Sequence, residues 1–176
     1  MPTIDPHVEY DQLSALYEQQ AALLDGPEAV LVAAVPSVSG WTVAQHLHHV
    51  WTANGMSLTA ARYAAVGKRS TTTGEPTRAG RRVLQEEGLP RGQMQAPDAV
   101  TPPASPDLSD LRATLERSRA ALHRLADHLD AAAASSERIE HPALGFLTAP
   151  QWLRFVRIHT AHHQAIIDDI RAHADA

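Results

Sequence analysis

Apolar residues recur with the 3.6-residue period of an α-helix in four long stretches of this chain. In the first, from about Pro6 to Leu24, the residues Tyr10, Leu13, Leu16, Tyr17 and Leu24 line one stripe, and Asp25-Gly26-Pro27 ends it. A short helical piece follows from Glu28 to Val35. The second long pattern opens after Trp41, where Thr42 and Gln45 have the spacing of a capping box, and runs to about Val66. The third opens at Ser105-Pro106-Asp107, with Ser as N-cap and Pro at the first helical position, and runs to about Ala134. The fourth opens at Thr148-Ala149-Pro150-Gln151, a second Thr-x-x-Gln box, and runs to about Ala172.

The stretch from Gly67 to Ala104 is rich in Pro, Gly, Thr and Arg and holds one short helical candidate, Arg78 to Glu87. Strand signals are weak throughout, and Glu140 to Gly145 reads as the turn between the third and fourth helices. These patterns predict an all-α fold: one domain over residues 1–176, built as a four-helix bundle with helices near 6–24, 42–66, 106–134 and 149–172. A connection as long as 67–104 fits a crossover that lets the second and third helices run parallel rather than as a hairpin.

Within the fourth pattern, His159 and His163 are four residues apart and project from one helix face. At about 100° per residue, Trp152, His163, Ile166 and Ile170 all fall within about 40° of His159. Both imidazoles therefore occupy positions where a packed helix places Leu or Ile. A buried imidazole needs a hydrogen-bond partner or a metal, and an (i, i+4) pair can share one ion.

A third ligand must come from another helix, and the second carries His46, His48 and His49. Its main stripe is Val43, Leu47, Val50, Trp51, Leu58 and Ala61, and His49 points roughly 160° from Leu47. Ala53, Met56, Ala60 and Ala64 share the His49 side and form a second stripe of small residues, so His49 is expected to face a neighbouring helix. His46 lies near the edge of that face and His48 on neither stripe; both stay as alternatives. His162, on the shoulder of the buried face, is a candidate catalytic base beside the site or a solvent-edge residue. His141 reads as a turn residue packing on the fourth helix, and His7, His123, His128 and His173 as surface. Trp152 and Phe155 read as core, Trp41 and Trp51 as core or pocket wall, and Asp168, Asp169, Arg81 and Arg82 as solvated.

Composition narrows the chemistry. The 176 residues include 11 His and no Cys, which excludes disulfides, thiolate ligands and a cysteine nucleophile. The net charge of -5 comes from scattered groups without a basic stripe, against nucleic acid as partner. No apolar run approaches the roughly 18 residues of a membrane span. The start, Met1-Pro2-Thr3-Ile4-Asp5-Pro6-His7, lacks the basic-then-apolar order of a signal peptide, so a cytoplasmic location is expected. Nitrogen-only ligation suits a divalent transition metal, Zn or Ni foremost, over Mg or Ca. Three protein ligands leave an open position, the mark of a catalytic rather than a structural site.

The segment Trp41-Thr42-Val43-Ala44-Gln45-His46-Leu47-His48-His49-Val50 resembles the start of the second helix in the DinB-like metal-binding superfamily. There a Trp-Ser/Thr motif leads into a helix with the first His ligand. His159-Thr160-Ala161-His162-His163 is similar to that family's terminal His-x-x-x-His pair. The run from His141 to Trp152, with its His-Pro-x-x-Gly turn, resembles one branch without an assigned reaction, as does the loop from Gly88 to Pro97. Where relatives follow the last ligand with Gly or Arg and a Gln-Ile pair, Gln164-Ala165-Ile166-Ile167 shifts the pattern.

The resemblance implies an up-down-down-up four-helix bundle and three metal ligands, His49, His159 and His163. It also implies a metal-dependent enzyme acting on a small molecule. The expected activity is that of a transferase joining a low-molecular-weight thiol to an electrophile, or of a hydrolase. The alternative is a non-catalytic metal-binding or stress-associated bundle. A homodimer is a further expectation.

Overall fold

The computed structural model describes residues 3–92 and 95–174. Met1 and Pro2 of the leader reading, and Gln93 and Met94 of the crossover resemblance, lie outside the described residues. The chain is mostly helical, as its periodicity dictates. Helix α1 spans Pro6–Ala21, α2 Glu28–Val32, α3 Val43–Ala65, α4 Arg78–Glu86, α5 Leu108–Ala126, α6 Leu129–Ala134 and α7 Ala149–Ala174. Short 3-10 turns occupy Ala22–Asp25 and Asp98–Val100. Among the described residues, no helix is long and apolar enough to cross a membrane.

Local chemistry sets the helix starts. Asp5 caps α1, its carboxylate accepting from the His7 amide at 2.9 Å, with Pro6 beginning the helix. The Thr42 capping box is formed in both directions: the Gln45 amide donates to Thr42 Oγ1 at 3.2 Å, and the Thr42 amide to Gln45 Oε1 at 2.9 Å. At α7 the Thr148 amide donates to Gln151 Oε1 at 2.9 Å. Helix α3 is the central element, packed against α5 and α7, and α1 packs on α7. Val43, Leu47, Val50, Leu58 and Ala61 on α3 are fully buried, so burial of the main stripe anchors the helix.

Several boundaries differ from the sequence expectation. The third helix begins at Leu108 under an Asp107 cap, which accepts from the Asp110 amide at 2.8 Å; Ser105 and Pro106 lie outside it. It breaks at Asp127 and His128 before resuming as α6. The first helix tightens into a 3-10 turn after Ala21.

The expected turn at Glu140–Gly145 is the tip of a β-hairpin. Strand β1 (Arg138–His141) pairs antiparallel with β2 (Gly145–Thr148), with Arg138 opposite Thr148 and His141 opposite Gly145. The first half of the crossover is pinned to this hairpin: the Thr77 amide donates to Leu144 O at 2.8 Å and the Phe146 amide to Glu75 O at 3.2 Å. Two glycines permit the approach. A Cβ on Gly80 would lie 2.2 Å from Leu144 O, and Gly145, at φ +79°, would place one 2.7 Å from Glu75 O.

A charged cluster fixes α1, α4 and α7 to one another. Glu9, 2 % exposed, accepts from Arg154 at 2.6 Å and Arg157 at 2.5 Å, and Arg157 also pairs with Glu87 at the end of α4.

Candidate metal centre

Packing of α3 on α7 brings together the three histidines singled out in the sequence. Ligand atoms of His49, His159 and His163 lie within 4.8 Å of one another. His49 Nε2 is 3.2 Å from His159 Nε2. Two nitrogens on one tetrahedral zinc are about 3.3 Å apart, given Zn–N distances of about 2.0–2.1 Å. The donor set therefore fits a divalent transition ion: all nitrogen, convergent, and carried by two rigid helices.

The remaining ring nitrogens are held from outside. His49 Nδ1 is 2.9 Å from Val100 O. A carbonyl only accepts, so His49 carries its proton on Nδ1 and turns the Nε2 lone pair inward. His159 Nδ1 is 3.5 Å from Asn54 Oδ1. His163 Nδ1 is 2.9 Å from His46 Nδ1, and His46 Nε2 is 2.9 Å from Ser39 Oγ. Among the described residues, no carboxylate hydrogen-bonds any of the three convergent imidazoles.

Burial pushes the His159 imidazole down to about 3 and His46 down to about 4, with neighbouring imidazoles acting in the same direction. Burial also holds His49 and His163 below the ordinary histidine range. At neutral pH the cluster is uncharged, the form that ligates metal.

Aromatic rings wall the centre. The Trp41 ring lies 5.0 Å from the His49 ring and 5.4 Å from that of His46, and stacks over His163 at 6.4 Å. Phe155 stacks on His159 at 5.9 Å. Trp152 and Trp51 are core; Phe155, partly buried, packs against the core while its ring faces His159, and Trp41, partly buried, walls the centre.

The two alternative third ligands separate cleanly. His46 is buried and touches His163 but is not among the three that converge; His48 also stands apart, its Nδ1 without a hydrogen-bond partner among the described residues. His162 sits half-buried beside His163, ring centroids 5.2 Å apart. His141 is a turn residue, its Nδ1 accepting from the Ala143 and Leu144 amides at 3.1 and 3.2 Å while its ring packs on Trp152 and Phe155. His7, His123 and His173 are exposed and His128 is half-buried. Arg81 and Arg82 face solvent on α4, Asp168 is exposed, and Asp169 pairs with Arg91 at 2.6 Å.

The second α3 stripe is shallower than its composition implies. Met56 is 58 % exposed, and Ala53 and Ala60 are half-buried; Ala64 is fully buried, at the end of the helix away from His49. His49 is covered instead by Trp41 and by the 3-10 turn that ends at Val100. Neither the Val100 carbonyl nor Ser39 carries a sequence signal. Asn54 does: a polar residue within about 20° of Leu47, on the most buried stripe of α3.

No curated protein and no solved structure matches the chain. A family model described as the DinB superfamily matches residues 12–167, a span that includes all three convergent histidines, and the chain belongs to that superfamily.

Proposed function

We propose that this chain is a metal-dependent enzyme acting on a small molecule, with His49, His159 and His163 as the metal ligands and transfer of a low-molecular-weight thiol to an electrophile as its reaction. The observation that carries the reading is the convergence of three neutral imidazoles from two helices, one of them oriented by the Val100 carbonyl. A bound Zn or Ni ion would supply Lewis acidity, lowering the pKa of a thiol or of water toward neutrality.

The chain's own groups favour the thiol. With no carboxylate among the described contacts of the ligands, the site presents an uncompensated positive charge when loaded, which attracts an anionic sulfur. Hydrolysis by a metal-activated water is the second reading. Trp41 and Phe155 supply apolar walls that exclude solvent on two sides, and half-buried Ala53, about one turn from His49, leaves room beside the ligands. His162, half-buried beside His163, is the candidate proton carrier in this reading. An up-down-down-up helix order and a cytoplasmic location belong to this same reading.

The test is elemental analysis of purified protein, then assay of the zinc- or nickel-loaded form on thiol–electrophile pairs and on ester and amide substrates. Turnover of a thiol pair that vanishes in His163→Ala is the expected result. Metal uptake without turnover on any class would replace the enzyme by a metal-binding bundle.

A further inference from the structure

A polar network lies sealed inside the bundle, where apolar packing is the default. Tyr17 on α1, Asn54 on α3, Ser118 on α5 and Thr160 on α7 are each no more than 1 % exposed. Tyr17 Oη is 2.6 Å from Ser118 Oγ. The Asn54 amide nitrogen donates to Tyr17 Oη at 3.0 Å and to Thr160 Oγ1 at 2.8 Å. The Thr160 hydroxyl gives its own proton to Val156 O at 2.7 Å. Burial pushes the Tyr17 phenol up to about 12, so its oxygen stays protonated.

This wiring fixes the Asn54 amide. Both of its hydrogens are committed, and a flipped amide would set its oxygen against Thr160 Oγ1, whose only proton is already used. The Oδ1 atom must therefore face His159 Nδ1, 3.5 Å away. An amide oxygen only accepts, so it favours the proton on Nδ1 and leaves the lone pair on Nε2, the nitrogen that meets His49 Nε2 at 3.2 Å.

We propose that Asn54 is a positioning residue for the metal centre, held by Tyr17 and Thr160 so that its oxygen sets the tautomer and ring orientation of His159. The inference rests on the metal-binding reading above. It assigns a function to a network that otherwise only joins four helices.

Zinc affinity, measured by competition with a chromophoric chelator, separates a positioning role from a packing role. Asn54→Ala removes the acceptor and is expected to weaken binding roughly 10- to 100-fold. Asn54→Asp keeps an acceptor toward His159 but cannot donate to Tyr17 or Thr160, so it is expected to lose stability while binding zinc within roughly threefold of the unaltered chain. A packing role predicts the reverse order, with Asp the worse of the two. Affinity unchanged in Asn54→Ala, or equally poor in both variants, overturns the proposal.

Should Asn54→Asp fail to fold, nitrogen NMR of the zinc-loaded unaltered chain decides: the His159 proton belongs on Nδ1, and zinc on Nδ1 instead overturns the assignment. If the unaltered chain takes up no zinc, cobalt or nickel, the metal reading fails and takes this inference with it. Zinc uptake indifferent to Asn54→Ala removes this inference alone.

Discussion

The Nδ1 atoms of His46 and His163 face each other at 2.9 Å in the buried interface of α3 and α7. Two lone pairs cannot share that distance, so one proton lies between them. With the proton on His163, its Nε2 is free for an ion, and His46 passes its own Nε2–H to Ser39 Oγ at 2.9 Å. Replacing His46 with Leu strands the His163 N–H without an acceptor. Zinc affinity in His46→Leu is expected to fall about tenfold or more, with circular dichroism unchanged. Ser39→Ala, one step removed, is expected to cost less. Equal affinity in His46→Leu and the unaltered chain would show that His46 only fills space.

The ligand assignment makes a sharper contrast. His49→Ala, His159→Ala and His163→Ala should each lose the single equivalent of metal that survives gel filtration. His48→Ala should keep it, since His48 stands apart from the convergent group. Alanine is the best helix former, so helix content should hold in all four. Retention of metal by any of the first three identifies a wrongly assigned ligand.

Why the His pair was readable and its setting was not follows from geometry. The (i, i+4) spacing of His159 and His163, the capping box at Thr42 and the half of one formed at Thr148 are written within one helical turn each, where sequence separation and spatial separation coincide. The convergence of His49 with the pair is readable for a reason only partly right, because its cover is Trp41 and the Val100 turn rather than the stripe of Ala53, Met56 and Ala60, none of which is fully buried. The hairpin escaped because strands of four residues are too short to show a period of two, and its stability comes from the distant Thr71–Gly80 segment docked on it. Glu9 gives no local sign of burial; its partners Arg154 and Arg157 come from the far end of the chain.

Acid should destabilise the metal-free protein through the imidazole cluster. In the unfolded chain His46 and His159 titrate near the usual value of about 6.5, whereas burial lowers them to about 4 and about 3 in the fold. Between those limits the unfolded chain binds more protons than the folded one. Stability is therefore fully present above about pH 6.5 and is lost as pH falls toward the folded values. Each site contributes a slope of up to about 1.4 kcal/mol per pH unit in that window. Urea midpoints of the metal-free chain should drop from pH 6.5 to pH 4, and His46→Leu should flatten the drop by about one proton. A midpoint independent of pH across that range would mean the imidazoles are solvated.

The Glu9 cluster predicts a graded cost. Its carboxylate side chain is 3 % exposed and holds both Arg154 and Arg157, themselves 13 % and 12 % exposed. Glu87 pairs with the same two arginines from the rim, at 48 % exposure. Removing Glu9 leaves two nearly buried guanidinium groups without their main counter-charge, and breaking a buried pair this way costs about 3–5 kcal/mol. Removing Glu87 breaks a screened pair worth about 1 kcal/mol or less. Urea unfolding of Glu9→Ala and Glu87→Ala at neutral pH should therefore differ by more than about 2 kcal/mol. Because α7 also carries His159 and His163, Glu9→Ala should weaken zinc binding where Glu87→Ala does not. Equal destabilisation by the two substitutions would place the clamp at the α4 rim rather than under α1.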